Sequence, residues 1–319
     1  MYSTLGVLKN SKHSGKLVGT HQKIDRCARR FIAGYLKARE NKLLPNEKQI
    51  LHFEGVRGPD GLKLKSPGVD EPMHFIMPEH DDGKLREMVL AHQYNMKKAI
   101  LKGNTTRAAF EAAWMAHAIT DGLTPAHHYP FLEAVDDMMT EGEFVKVFGV
   151  PIKGIMRGKN WSETLHNNWL YLGAGGIMTK HIAFEYGCAL VTTMMSYGMM
   201  VSRAEKFVVG EVDLWGEFKK SLDKVAALDM YDRFLKSGWT TNLAYETREV
   251  LMPEIVRAVT AGWVAGMPTE KEMEKAMGGA RDSVVGAGGS EKSKVETEGF
   301  GKAKAGAEGS GKTKVGAKE

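Results

Sequence analysis

The stretch His117-x3-Asp121-x3-Pro125-x-His127 most limits what this chain can become. Thr105 to Ala116 reads as helix, with Phe110, Ala113, Trp114 and His117 three or four residues apart. His117 and Asp121 therefore stack on one face, one turn apart. Gly122 and Pro125 break the helix, so the chain folds back and His127 returns to the same point in space. Two imidazoles and a carboxylate converging within eleven residues make a metal-site candidate. A lone His-x3-Asp is more often a core histidine beside a surface carboxylate, so the motif needs further donors.

Those donors occur along the chain. Ile24, Cys27, Ala28, Phe31, Ile32 and Tyr35 give the apolar stripe of a helix from His21 to about Arg39, with Thr20 as its cap. His21 falls on the inward side of that helix. Residues 40–83 are loop-rich, with Pro45, Pro59, Pro67, Pro72 and Pro78 spaced through them. A long irregular segment inside a compact domain points to function or disorder, and this one holds Asp60 and His74. Residues 84–103 form an amphipathic helix on which His92 is a packing residue rather than a ligand. His181 and Glu185, four apart, lie on one helical face, as a two-ligand helix requires. His166 has no carboxylate four residues later and is the weaker candidate. That helix is expected to reach about Phe207, with further helices over 212–235 and 244–264. Met194, Met195, Met199 and Met200 read as core filling.

The fourteen-residue step from Asp60 to His74 and the run Met73-His-Phe-x-x-Pro-x-x-Asp-Asp-Gly83 add to the pattern. With His-x3-Asp-x3-Pro-x-His and His-x3-Glu, the chain resembles the zinc-dependent phospholipase C and single-strand-specific nuclease superfamily over roughly residues 13–205. The resemblance implies an all-α, multi-helix domain over residues 1–278, with zinc ions held by His21, Asp60, His74, His117, Asp121, His127, His181 and Glu185. In that family's arrangement Asp60, His74, His117 and Asp121 would hold one ion. His127, His181 and Glu185 would hold a second, and Asp121 would bridge to a third shared with His21. The loop carboxylate, here Asp60, would orient or deprotonate the attacking water. Departures are visible as well. The His-x3-Glu element arrives late, after an insertion at about 131–178. The family's N-terminal Trp, a ligand of the third ion, has no counterpart before His21, so two ions are expected and the third is left open. Gly61 and Glu71 stand where choline-specific phospholipases carry aromatics, so no cage for a quaternary ammonium is expected.

Composition bounds the partners. The chain has 319 residues with 44 basic and 39 acidic, which is no polyanion-binding signature. Three divalent ions would outweigh Asp60, Asp121 and Glu185 and leave a positive site for a phosphoester. A metal-dependent phosphodiester hydrolase of the phospholipase C type is therefore the expectation. Phospholipid stands ahead of single-stranded nucleic acid, because no basic, aromatic-rich groove is evident. The alternatives are a single-strand-specific nuclease and a non-catalytic helical protein with a structural metal site. Cys27 and Cys188 have no CxxC spacing, so neither a disulfide framework nor a thiolate zinc site is expected. No run reaches eighteen apolar residues, and residues 1–20 lack an apolar core. A transmembrane span and a signal peptide are thus not expected, and contact with a membrane would be transient at most. The default compartment is the cytoplasm, whereas the resemblance points to export. After Gly278 the chain is mostly Gly, Ala, Lys, Glu and Ser, with Lys-x-Lys recurring at 292, 302 and 312. Residues 279–319 are expected to be a disordered tail.

Overall fold

Helix α5 (Thr105–Gly122) is the element on which the others pack, in a computed structural model that describes residues 19–54, 58–60, 76–79, 83–128, 158–202, 204 and 212–276. Asn104 caps it, accepting from the Arg107 amide at 2.9 Å. Nearly every side chain from Ala108 onward is buried. Alanines on several sides of α5 let α4 (Lys84–Leu101) and α12 (Met252–Ala265) lie against it. At Gly262 of α12 an added Cβ would come within 2.9 Å of Ile119 Cδ1, so this glycine permits the close crossing. The Trp263 indole donates to the Ala112 carbonyl at 2.9 Å and fixes the register of the two helices. A helix apolar all round belongs in a core. The segment Thr241–Ala276 is long and apolar enough to cross a membrane, but 89% of its most apolar window is buried inside the protein.

Around this pair the elements are shorter than their periodicity predicts. The first helix, α1 (Thr20–Phe31), gives way to a 3-10 turn at Ile32–Gly34, and α2 (Ala38–Leu43) starts afresh after extended Lys37. Thr20 is the first helical residue, with Gly19 before it, and makes no capping bond. Within the stretch expected as loop, Asn46 and Gln49 exchange side chain-to-backbone bonds and start α3 (Glu47–Leu51). That short helix packs on α1 and α5.

Helices α6 (Trp161–Leu172) and α7 (Ile177–Met194) pack together as a hairpin joined by Gly173, Ala174, Gly175 and Gly176. Thus α6 is built from the expected insertion. The Lys23 ammonium donates to the carbonyls of Thr192 and Thr193, tying α1 to the C-terminal end of α7. The chain leaves helix at Met195 and resumes in α8 (Tyr197–Val201) with Ser196 as cap. That turn divides the methionines: Met195 and Met200 are buried, while Met194 and Met199 are exposed, against the expectation that all four fill the core.

The helix expected over 212–235 breaks into α9 (Leu214–Ala226) and α10 (Met230–Ser237) at Asp229, whose φ of 49° is left-handed. Helix α11 (Thr241–Glu246) passes through a π turn at Thr247–Leu251 into α12. Buried Arg257 of α12 pairs with Glu217 and donates to Ser221 Oγ at 2.9 Å, holding α9 in place. Helix makes up 78% of the described residues and no strand occurs among them, so the fold is all-α. Cys27 and Cys188 are both free and buried. Contacts divide the chain into Met1–Glu274 and Lys275–Glu319; nearly all of the second unit, including the tail, lies outside the described residues.

Candidate metal centre

The C-terminal half of α5 delivers His117 and Asp121 to one buried point. Beyond Gly122, the Thr124 hydroxyl donates back to the Thr120 carbonyl at 2.8 Å. A 3-10 turn at Pro125–His127 then swings His127 under the helix end. The start of α1 brings His21, and α7 brings His181 and Glu185 from the far side. Two clusters result, one of His21, His117 and Asp121, the other of His127, His181 and Glu185. In each, the donor atoms lie within 4.8 Å of one another. All six residues are buried.

Asp121 stands between the clusters. Its Oδ1 lies 3.2 Å from His21 Nε2 and 3.9 Å from His127 Nε2, and its Oδ2 lies 3.2 Å from His117 Nε2. The rings of His21 and His117 stack with centroids 4.1 Å apart and planes 12° from parallel. His21 Nε2 and His117 Nε2 are buried and lack a well-aligned hydrogen bond, although Asp121 oxygens lie 3.2 Å from each. Such nitrogens are costly unless something else satisfies them, and converging donors that do not bond each other suit a cation between them. In the second cluster Glu185 Oε1 is 2.8 Å from His127 Nε2 and 3.2 Å from His181 Nε2.

Asp60 Oδ1 lies 3.6 Å from His117 Nε2, and its side chain is 22% exposed against 2% for Asp121. It is therefore the carboxylate at the mouth of the first cluster. His74 lies outside the described residues. His166 is exposed on α6 and belongs to neither cluster. His92 meets buried Glu111, with Nδ1 2.5 Å from Oε2, and takes no part in the centre.

Glu54 has no motif around it, and sequence reasoning missed it. It follows α3, is buried, and sets Oε1 3.1 Å from His117 Nδ1. A carboxylate on the outer nitrogen fixes the imidazole's tautomer and turns Nε2 towards the metal position. The one signal in the sequence was the Asn46-x-x-Gln49 capping box, which marks a helix start eight residues before Glu54. Burial, and then the Glu54 charge, raise the Asp25 carboxyl well above the usual carboxylate range. Burial opposes a charge on His117, but Asp121, Glu54 and Asp60 outweigh it and push the imidazole up to about 10. His127, by contrast, is pulled down to about 4, burial being the chief cause. Buried carboxylates thus make the first cluster a place that favours a cation.

Replacing Glu54 with Gln should weaken divalent-metal affinity about 10–100-fold while the helical content stays unchanged. Titration of metal-stripped protein followed by circular dichroism would measure both, and unaltered affinity would remove Glu54 from the centre.

No family model, curated protein or solved structure matches the chain.

Proposed function

We propose that the chain is a metal-dependent phosphodiester hydrolase of the phospholipase C type, with zinc at the two clusters. The observation that carries this reading is the pair of buried donor sets, with Asp121 of the first lying 3.9 Å from His127 of the second. Nitrogen and oxygen donors without thiolate suit zinc. His127, His181 and Glu185 supply three protein ligands, as in zinc sites that leave a position open for water or substrate. A closed four-ligand structural site would instead have satisfied the ion within the protein.

When bound, the ions would supply a water of lowered pKa and neutralise charge developing on the phosphoryl oxygens. The protein's own part can be assigned by residue. Asp121 would hold the clusters at a fixed spacing through its two oxygens. Glu54 would orient His117. Asp60, the most exposed of these carboxylates, would accept a proton from the attacking water.

The charge balance differs from the one drawn from the motifs. Glu54 joins Asp60, Asp121 and Glu185, so two divalent ions merely neutralise the four carboxylates. Attraction of an anionic phosphodiester would therefore gain from a third ion, for which His21 and Asp121 Oδ1 would be ligands.

Elemental analysis of purified protein should find at least two divalent ions per chain, zinc foremost. Assays on phosphatidylcholine, phosphatidylethanolamine and single-stranded oligonucleotides should show head-group release from lipid. Cleavage of oligonucleotides alone would make the chain a nuclease. Metal without turnover of any of the three would leave a structural site.

A further inference from the structure

Helices α6 and α7 carry an apolar surface that the core does not absorb. On α6, Trp161, Leu165, Trp169 and Leu172 recur every three or four residues and are 74, 56, 67 and 56% exposed. They lie away from the side that buries Asn167 and Tyr171. On α7, Ile182, Tyr186, Leu190 and Met194 form a second exposed stripe, opposite the side that holds His181 and Glu185. A surface helix ordinarily turns polar residues to water. Outward apolar stripes on two adjoining helices mark a site of interaction.

The charges around the stripes narrow the occupant. Between residues 158 and 202 the exposed charged side chains are Lys159 and Lys180, which flank α6 in sequence. The two carboxylates of that stretch are turned to other work. Glu163 accepts from the Lys159 amide at 2.7 Å, and Glu185 is buried in the metal centre. Within this stretch of the chain, the exposed stripes are thus apolar, with two lysines as the exposed charges. A second copy docked about a two-fold axis would set these lysines against a face without an exposed carboxylate. An anionic lipid surface offers what both parts of the face require, hydrocarbon for Leu and Met and phosphates for Lys. Trp and Tyr, apolar with one polar edge, are suited to the boundary between them.

We propose that the outer face of α6 and α7 docks on an anionic phospholipid bilayer. The choice of lipid rests in part on the phosphodiester reading, because the same helix joins the two functions. Along α7 the metal donors His181 and Glu185 are followed directly by outward Ile182 and Tyr186, so one helix diameter, about 10 Å, separates the centre from the docking face.

The test is co-sedimentation of the metal-replete full chain with phosphatidylcholine vesicles, with and without phosphatidylglycerol. Wild type should bind, and more strongly to the anionic vesicles. The double substitution Trp161→Ser, Trp169→Ser removes exposed aromatics alone and should weaken partition at least about tenfold. Lys159→Gln with Lys180→Gln should weaken it on anionic vesicles only. Hydrolysis of dihexanoyl phosphatidylcholine below its micelle concentration should stay within about twofold in both variants, because neither touches the donor clusters. Wild type that ignores vesicles, or variants that bind as it does, would overturn the docking proposal. So would dimerisation in solution that the Trp substitutions abolish, since that assigns the face to a second copy. Failure to bind vesicles with monomeric lipid still cleaved leaves the hydrolase reading intact. Vesicle binding without hydrolysis supports the docking face and overturns the hydrolase.

Discussion

Stripping divalent metal with a chelator should lower the melting temperature by about 10 °C, given about 4 kcal/mol from an ion at a thousand times its dissociation constant and about 2–4 °C per kcal/mol for a domain of this size. The physical ground is the buried charge. Asp121 and Glu185 are held well below the usual carboxylate range although burial opposes their charge, with His117 among the groups that favour the Asp121 carboxylate and His181 among those that favour Glu185. The donors come from α1, α5, the 3-10 turn after α5 and α7, with Glu54 just after α3, so ions at the two clusters would cross-link separate parts of the fold. Without them, the first cluster has to keep a proton on His117 to offset Asp121, Glu54 and Asp60. Calorimetry with and without chelator, followed by zinc add-back, would measure the difference. A melting temperature that moves by less than about 2 °C while elemental analysis shows the metal gone would mean that imidazole–carboxylate hydrogen bonds alone hold the clusters.

Much of this site was legible because helical periodicity is short-range information. His117 with Asp121, and His181 with Glu185, are each one turn apart on one helix, so their shared faces follow from spacing alone. The return of His127 was legible from Gly122 and Pro125, since a break with that composition forces a tight turn. What spacing cannot give is where helices stop when nothing in the sequence forbids continuation. The apolar stripe of α1 runs on to Tyr35, yet the helix tightens at Ile32–Gly34, a turn that packs against α12. Similarly, Asp229 adopts a left-handed conformation in a segment whose pattern reads as one helix. Glu54 was illegible for another reason. Its role depends on a contact 63 residues away in sequence, and a lone glutamate after a short helix carries no periodic mark. The outward stripes on α6 and α7 belong to the same class. Apolar residues at helical spacing read as core until the fold shows which side of the helix is covered.

If the proposed hydrolase reading holds, Asp121→Asn should reduce turnover to background, and the comparison that gives this result meaning is Asp60→Asn. The two carboxylates differ in burial and in neighbours. Asp121 has imidazole nitrogens 3.2 Å from both of its oxygens and is closed off from solvent. An amide in its place presents one oxygen and one NH2 group and carries no charge, so the first cluster loses its anionic donor whichever way the amide turns, while Glu185 still serves the second. Metal stoichiometry should fall with activity, and the melting temperature should move towards that of stripped protein. Asp60 touches the first cluster through His117 Nε2 at 3.6 Å and keeps a fifth of its side chain in contact with solvent. As a base acting on water it would be worth about 10²–10⁴ in rate, with one fewer negative charge but both donor clusters otherwise intact. Asp60→Asn should therefore lose turnover by that factor while retaining at least two ions. Affinity for the proposed anionic substrate should hold or tighten, because removing a carboxylate from the mouth lowers charge repulsion. If Asp60→Asn instead sheds metal as Asp121→Asn does, Asp60 is a ligand and the proton must go elsewhere. If both variants keep full activity, the clusters are not where the chemistry happens.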